Sequence, residues 1–366
     1  MQKVKKGIQK EEIKYKNEIN LKYMTEKEGN QRIFGYQFVK NNINNISLII
    51  NGKESKLVAE YDLNKGENNI TLCIKNKLTN LSDMFAFCKT LCNIDELKYL
   101  NTEDVIDFSG MFEFSKISNI KALENWDTSK SENFRDIFYG CKLITNIKPL
   151  KNWNVSSCKN FHSMFYGCNI SDIKPLESWN VSNGTDFYGI FAGNLISDIT
   201  LLEKWDISNG KNLGALFSGC KNIIDITPIK NLNLSKCETL EYLFSNCEKL
   251  SDISPIKNWN ISNVKNLHGL FSGCKNLSDI SPIKNWNISN VKDLNNLFSE
   301  CKKLTDITPI KNWNVSKCEN LGNLFNECEK LTDISPIKNW NVSNVKDYSF
   351  MFYKCPLISD IKPIEN

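Results

Sequence analysis

Histidine is nearly absent: the chain of 366 residues holds two, His162 and His268. General acid/base catalysis and nucleophile-plus-base catalysis need convergent, non-repeated titratable groups in a cleft. These two histidines take the same variable place in a repeated unit, and no such constellation is evident, so no enzyme activity and no cofactor is expected. A dominant charge sign is also lacking. Lysine and arginine total 46 against 42 acidic residues, a net charge of +4. With lysines spread along the whole chain and no evident basic patch or aromatic platform, a nucleic-acid partner is not expected. Long apolar runs are missing as well. The opening stretch MQKVKKGIQKEEIKYKNEINLKY is charged throughout and offers no signal-peptide core, and nothing approaches the ~20 apolar residues of a transmembrane helix. A cytoplasmic or otherwise intracellular location is therefore expected, with cell surface or secretion as the alternative if an export signal is missing from the sequence.

What is present is enough apolar material to fold: 41% hydrophobic residues beside 24% charged, outside the range of disordered chains. It is arranged periodically. Tryptophan recurs at 126, 153, 179, 205, 259, 286, 313 and 340, with Leu232 filling the gap in register. Phenylalanine keeps the same beat at 85, 112, 138, 165, 191, 217, 244, 271, 298, 325 and 352, which makes eleven copies. Such periodicity is the signature of a solenoid, because one short unit cannot bury its apolar face alone and must stack on its neighbours.

Residues 264–290, VKNLHGLFSGCKNLSDISPIKNWNISN, represent the unit. Val264, Leu267, Leu270, Phe271 and Cys274 follow the spacing of one helix face, and Ser262 or Asn263 before them suits an N-cap. The equivalent serine is present from Ser129 to Ser343 in nine copies. Leu277, Asp279 and Ile280 read as a short strand that Pro282 must stop or confine to an edge. One short helix and one short parallel strand per copy give an α/β solenoid.

The string LFSGCKNLSDISPIKNWNISNVKNL resembles the BspA-like leucine-rich repeats, in the variant typified by mycoplasma lipoprotein-associated repeats. The features that carry the resemblance are the Met/Leu-Phe pair before a cysteine, the Leu or Ile three residues on, and the closing Asn-Trp-Asn/Asp-x-Ser. They cover about residues 79–366, with a longer Ile-Ser-Pro-Ile stretch as a departure from the family pattern. The resemblance implies a right-handed leucine-rich-repeat-type solenoid with a parallel sheet, and roles in adhesion and protein binding.

Residues 1–78 lack the repeat. Ile13 to Tyr23, Ile46 to Ile50, Leu57 to Leu63 and Ile70 to Ile74 read as β-rich, with Asn51-Gly52 a hairpin signal; a small β-rich N-terminal cap is expected, a separate ligand-binding module being the alternative. The last copy runs through Asp360 and stops at Asn366, mid-unit.

Three columns invite chemistry. Nine of the fourteen cysteines recur at one position per copy, from Cys88 to Cys355, without the paired spacing that zinc sites use; buried free thiols in a reducing compartment are expected. The tryptophans are expected as stacked core aromatics. Asp172, Asp198, Asp225, Asp252, Asp279, Asp306, Asp333 and Asp360 form an acidic column, too sparse for calcium, whose carboxylates suit turn hydrogen bonds or nearby lysines. Asp172 to Asp333 are the expected contacts of a protein partner. The Asn-x-Ser sequons of the repeat follow from its own pattern. The expected function is a non-enzymatic protein-binding scaffold, with a cell-surface or secreted adhesin binding host or matrix proteins as the alternative.

Overall fold

The computed structural model describes residues 16–359; Ile13 and the Asp360 to Asn366 tail lie outside them. The N-terminal part is built from β1 (Glu18–Thr25), β2 (Gly29–Arg32), α1 (Tyr36–Asn42), β3 (Ile46–Ile50), β4 (Lys53–Lys56), β5 (Glu60–Leu63) and β6 (Gly66–Ile74). Alternation sets β1: Ile19, Leu21 and Tyr23 point inward and the residues between them outward, the period-two pattern of a half-buried strand. Asn51 and Gly52, with φ of 48° and 82°, turn β3 into β4, the twist that matches a two-residue hairpin. The partner strand is the polar Lys53–Lys56, which sits at the sheet's edge in the order β4-β3-β6-β1, with one further strand beyond β1. The last strand, β7 (Leu91–Asn93), comes from the first repeat and pairs antiparallel with β1.

From residue 80 the chain coils as a repeat solenoid. Ten parallel bridges link equivalent residues of neighbouring copies, from Asn80–Asp107 to Asn320–Asp347. Around each bridge the backbone alternates its partners. In the unit above, the amides of Leu267, Gly269, Phe271 and Gly273 donate to carbonyls of the next copy, while those of Leu270, Ser272 and Cys274 close turns onto residues three back.

Residues 264–274 are therefore not a helix, and α1 is the one α-helix among the described residues. The apolar positions point inward, as helix-like spacing suggests, but the backbone enters the left-handed region twice in each copy, two residues before and two after the phenylalanine column. Gly269 (φ 58°) and Gly273 (φ 72°) show it, as do Tyr242, Asn296, Glu300 and Glu327 with φ between 55° and 58°. An α-helix cannot pass through such residues. Leu277 to Ile280 are likewise not a strand. They lead into a 3₁₀ turn, Ser281–Ile283, one of ten between Asp95–Tyr99 and Ser335–Ile337, in which proline fits at an early position because its missing N–H is not needed there.

Each corner of the coil is held by its own short polar side chain. Asn266 Oδ1 accepts from the amide of His268 at 2.8 Å, Asp279 Oδ1 from Ser281 at 2.7 Å, and Asn287 Oδ1 from Ser289 at 3.1 Å. These Asx turns revise the role of the serine column, whose amide donates to the turn side chain two residues back and which does not cap a helix.

The core is a set of ladders. Phe34 of the N-terminal part lies 5.8 Å from Phe85, which begins the phenylalanine stack, and Phe271 and Phe298 continue it at 6.0 Å and 7° between planes. Trp259 and Trp286 stack at 6.4 Å, and Trp286 Nε1 donates to the Ile256 carbonyl of the preceding copy at 3.2 Å. Burying the indole while satisfying its N–H is what makes tryptophan suitable there. At the first copy, the Gly35 amide donates to Met84 O and Asn42 Nδ2 to Asn80 O, so the N-terminal part occupies carbonyls that a preceding copy would otherwise have met.

Candidate functional site

The acidic column Asp172, Asp198, Asp225, Asp252, Asp279, Asp306 and Asp333 forms an exposed row, one carboxylate per copy. Every member has its Oδ1 engaged by the amide two residues on, at 2.7 to 2.9 Å. Hydrogen bonds to Thr200, Thr227 and Ser335 hold Asp198, Asp225 and Asp333 below the usual carboxylate range. No two of these carboxylates converge on one point. Among the described residues no group of three or more His, Cys, Asp or Glu could hold a metal ion.

The cysteine column faces the core. Cys274 Sγ donates to Phe244 O at 3.2 Å, and the same contact recurs from Cys168 to Phe138 O and from Cys301 to Phe271 O. Asn194, standing in one copy where nine others have cysteine and one has Ser115, donates to Phe165 O at 2.7 Å. The column thus supplies a small donor for a buried carbonyl. Burial pushes the thiols of Cys141, Cys220 and Cys274 up to about 12, which removes the thiolate needed for nucleophilic or redox work. All fourteen cysteines are free, with Cys92 exposed and Cys73 half-buried.

The more unusual surface is the outer side of the ladder, the eight residues of each copy from the bridge residue to the second left-handed residue. Aromatic rings run along it. Phe87 and Phe114 lie 5.2 Å apart, Phe114 meets Tyr139 at 5.1 Å, and Tyr139 stacks on Tyr166 at 4.9 Å. Alongside, His162 stacks on Tyr188 at 4.8 Å, and farther on Tyr242 Oη and His268 Nε2 share a hydrogen bond. Glycine makes the seats: a Cβ on Gly269 would lie 2.5 Å from the Tyr242 ring and one on Gly140 would lie 2.5 Å from the Phe114 ring.

Carboxylates are interleaved with these rings. His162 Nδ1 sits 3.2 Å from Asp186 and His268 Nδ1 3.6 Å from Asp293. Asp83, Glu113 and Asp136 come from three adjacent copies and are half-buried. Burial, and then the neighbouring Asp136 and Asp83, raise Glu113 to about 7, partly opposed by Arg135. Burial likewise raises Asp83 and Asp136.

Over all eleven copies this face carries ten carboxylates but only two cations, Arg135 and Lys354, in a chain with 46 lysines and arginines against 42 acidic residues. Leaving the ladder out, the rest of the chain is markedly basic. The overall balance of +4 conceals this separation, which becomes visible when charge is counted column by column. Sequence reasoning passed over the face because its residues occupy the variable positions of the unit.

Fold and surface together define a repeat solenoid with a constant core and a varied outer ladder. A family profile described as "Mycoplasma protein of unknown function, DUF285" matches residues 57–173, 144–254, 168–281 and 267–362, and the chain belongs to that family. Comparison with curated proteins and with solved structures finds no match. Among the described residues no helix is long and apolar enough to cross a membrane.

Proposed function

We propose that the chain is a non-enzymatic protein-binding scaffold that recognises its partner through the ladder face. One observation carries this reading. The inward columns repeat the same residue types, whereas the outward position three before the phenylalanine is Arg135, His162, Tyr188, Glu241, Asn295 or Ser349 in different copies. A constant frame with a varied outer layer supplies specificity without altering the fold. Tyr139, Tyr166, Tyr188, Tyr242 and the carboxylates of that layer are half-buried against neighbouring copies, so these side chains have less entropy to lose on binding. Kinship with the BspA-like leucine-rich repeats and a right-handed coil belong to the same proposal. The exposed Asp172 to Asp333 row is its second contact surface.

An adhesin would use the same face outside the cell. Twelve buried free cysteines favour a reducing compartment over that alternative. Photo-crosslinking residues placed at Tyr166, Tyr242 and, as a control off the ladder, Lys265 test the scaffold reading in native lysate. Discrete polypeptide adducts are expected at the first two positions and none at Lys265. Adducts at none of the three would refute a protein-binding role for the ladder.

A further inference from the structure

The scaffold reading leaves the partner open, and the chemistry of the ladder narrows it. We infer that the ladder face docks a cationic polypeptide segment, rich in lysine and arginine, whose side chains settle between carboxylates of adjacent copies and against the phenol oxygens. The inference rests on the scaffold reading and adds the chemical class of the partner.

Charge complementarity is the first argument. Ten carboxylates and two cations on the ladder make a long negative strip on a chain that is otherwise basic. Such a strip steers positive partners toward itself and rejects negative ones. The rest of the surface, where lysine predominates, has the opposite preference.

The second argument is how this face treats the cations that touch it. Arg32, from β2 of the N-terminal part, places its guanidinium 4.4 Å from the Tyr36 ring centre and 5.8 Å from that of the ladder's Phe87. Arg135 Nε lies 2.9 Å from Asp136. At the far copy, Lys354 sits 5.4 Å from the Tyr353 ring centre and 2.6 Å from Glu327. Each is seated by an aromatic ring, a carboxylate or both, the combination that cation–π attraction and a charge-assisted hydrogen bond provide. Between these occupied places, from Tyr139 to Glu300, rings and carboxylates recur with no lysine or arginine among them. Stacking turns the ring faces toward one another, as Tyr139 and Tyr166 do with 21° between planes. What remains outward is the ring edges and phenol oxygens, which suits a hydrogen-bonding polypeptide better than the flat face of a sugar.

The full chain is titrated by fluorescence anisotropy with a labelled peptide of about twelve residues alternating Arg or Lys with Ser, and with its Asp/Glu counterpart. The cationic peptide should bind and weaken steeply with added salt, while the acidic one should not. A ladder variant, E113Q/D136N/E241Q, should bind the cationic peptide at least about tenfold more weakly with an unchanged circular dichroism spectrum. A control variant, E132Q/E238Q/E319Q, altered on the exposed column beside the ladder, should bind as the parent does. Equal loss in both variants, or no binding of the cationic peptide, overturns the proposal. Preferential capture of the acidic peptide also overturns it, and with it the ladder as the docking face, since a polypeptide would then dock on a basic surface elsewhere on the chain; a cationic peptide that fails to bind while the ladder positions still crosslink to polypeptides overturns the charge assignment alone. Self-association of the chain that the ladder variant abolishes likewise overturns it, assigning the face to a second copy.

Discussion

Glu113 supplies a quantitative test of the electrostatics of the ladder. In the unfolded chain it ionises at its ordinary 4.5, whereas in the folded surface burial and the neighbouring Asp136 and Asp83 hold its proton up to about 7. Between those values the folded state keeps a proton that the unfolded state has released. Stability linked to Glu113 is therefore complete below the ordinary value and is lost as pH rises through the folded one. For a fully enclosed carboxyl the gap would correspond to about 3 kcal/mol at ~1.4 kcal/mol per pH unit. Glu113 is only half enclosed, so solvent screening reduces this to about 1–2 kcal/mol. Replacing it by glutamine keeps the shape and removes the charge. In urea unfolding followed by circular dichroism and by tryptophan fluorescence, E113Q should match the parent at about pH 4.5 and exceed it by about 1–2 kcal/mol at about pH 8. Asp83, Asp107, Asp136, Asp186 and Arg135, the other charged groups of this patch, are present in both proteins. A constant difference between them at the two pH values, or a less stable variant at high pH, would refute the reasoning.

Three further outcomes follow from the packing. A thiol reagent applied to the native protein should modify Cys92 first and Cys73 next, with buried members such as Cys274 reacting only on denaturation; peptide mapping that finds Cys274 modified as fast as Cys92 would contradict the buried column. Leu267→Ala, which empties a fully buried site, should cost about 2–5 kcal/mol, while Asp279→Ala, which removes an exposed hydrogen bond to the Ser281 amide, should cost about 1 kcal/mol; chemical denaturation that reverses this order would misplace the core. Glu300, held at φ 58°, should be improved by glycine: E300G relieves a conformation costing about 1–2 kcal/mol at the expense of some chain entropy, for a net gain of about 0.5–1 kcal/mol in the same assay.

The solenoid was legible because its cause is local and repeated: a phenylalanine and a tryptophan at fixed intervals need a like neighbour on each side. The backbone path within a copy was not. Val264, Leu267, Leu270, Phe271 and Cys274 have the spacing of a helix, yet the same inward set is produced by turns that alternate with ladder bonds. The contrary signal lay in glycine, at Gly269 and Gly273 and again at Gly189 and Gly193. Two glycines four apart inside a helix of that length would weaken it by about 1 kcal/mol each. The Asp172 to Asp333 column was visible as a column, and its hydrogen bonding to turn amides was one of the two roles its spacing suggested. The aromatic and acidic ladder escaped because its members differ from copy to copy and come together only through stacking.

The Asx corners have a bearing on how such a molecule can change over generations. Since Asn266, Asp279 and Asn287 each fold back onto an amide two residues along in their own copy, the bends do not depend on which neighbour lies above or below. Duplicating or deleting a whole unit leaves every bend intact and asks only that one stacked surface meet another of the same kind. Recombination between near-identical segments can thus alter the length of the protein in discrete steps, adding or removing whole copies without a fresh solution to the folding problem.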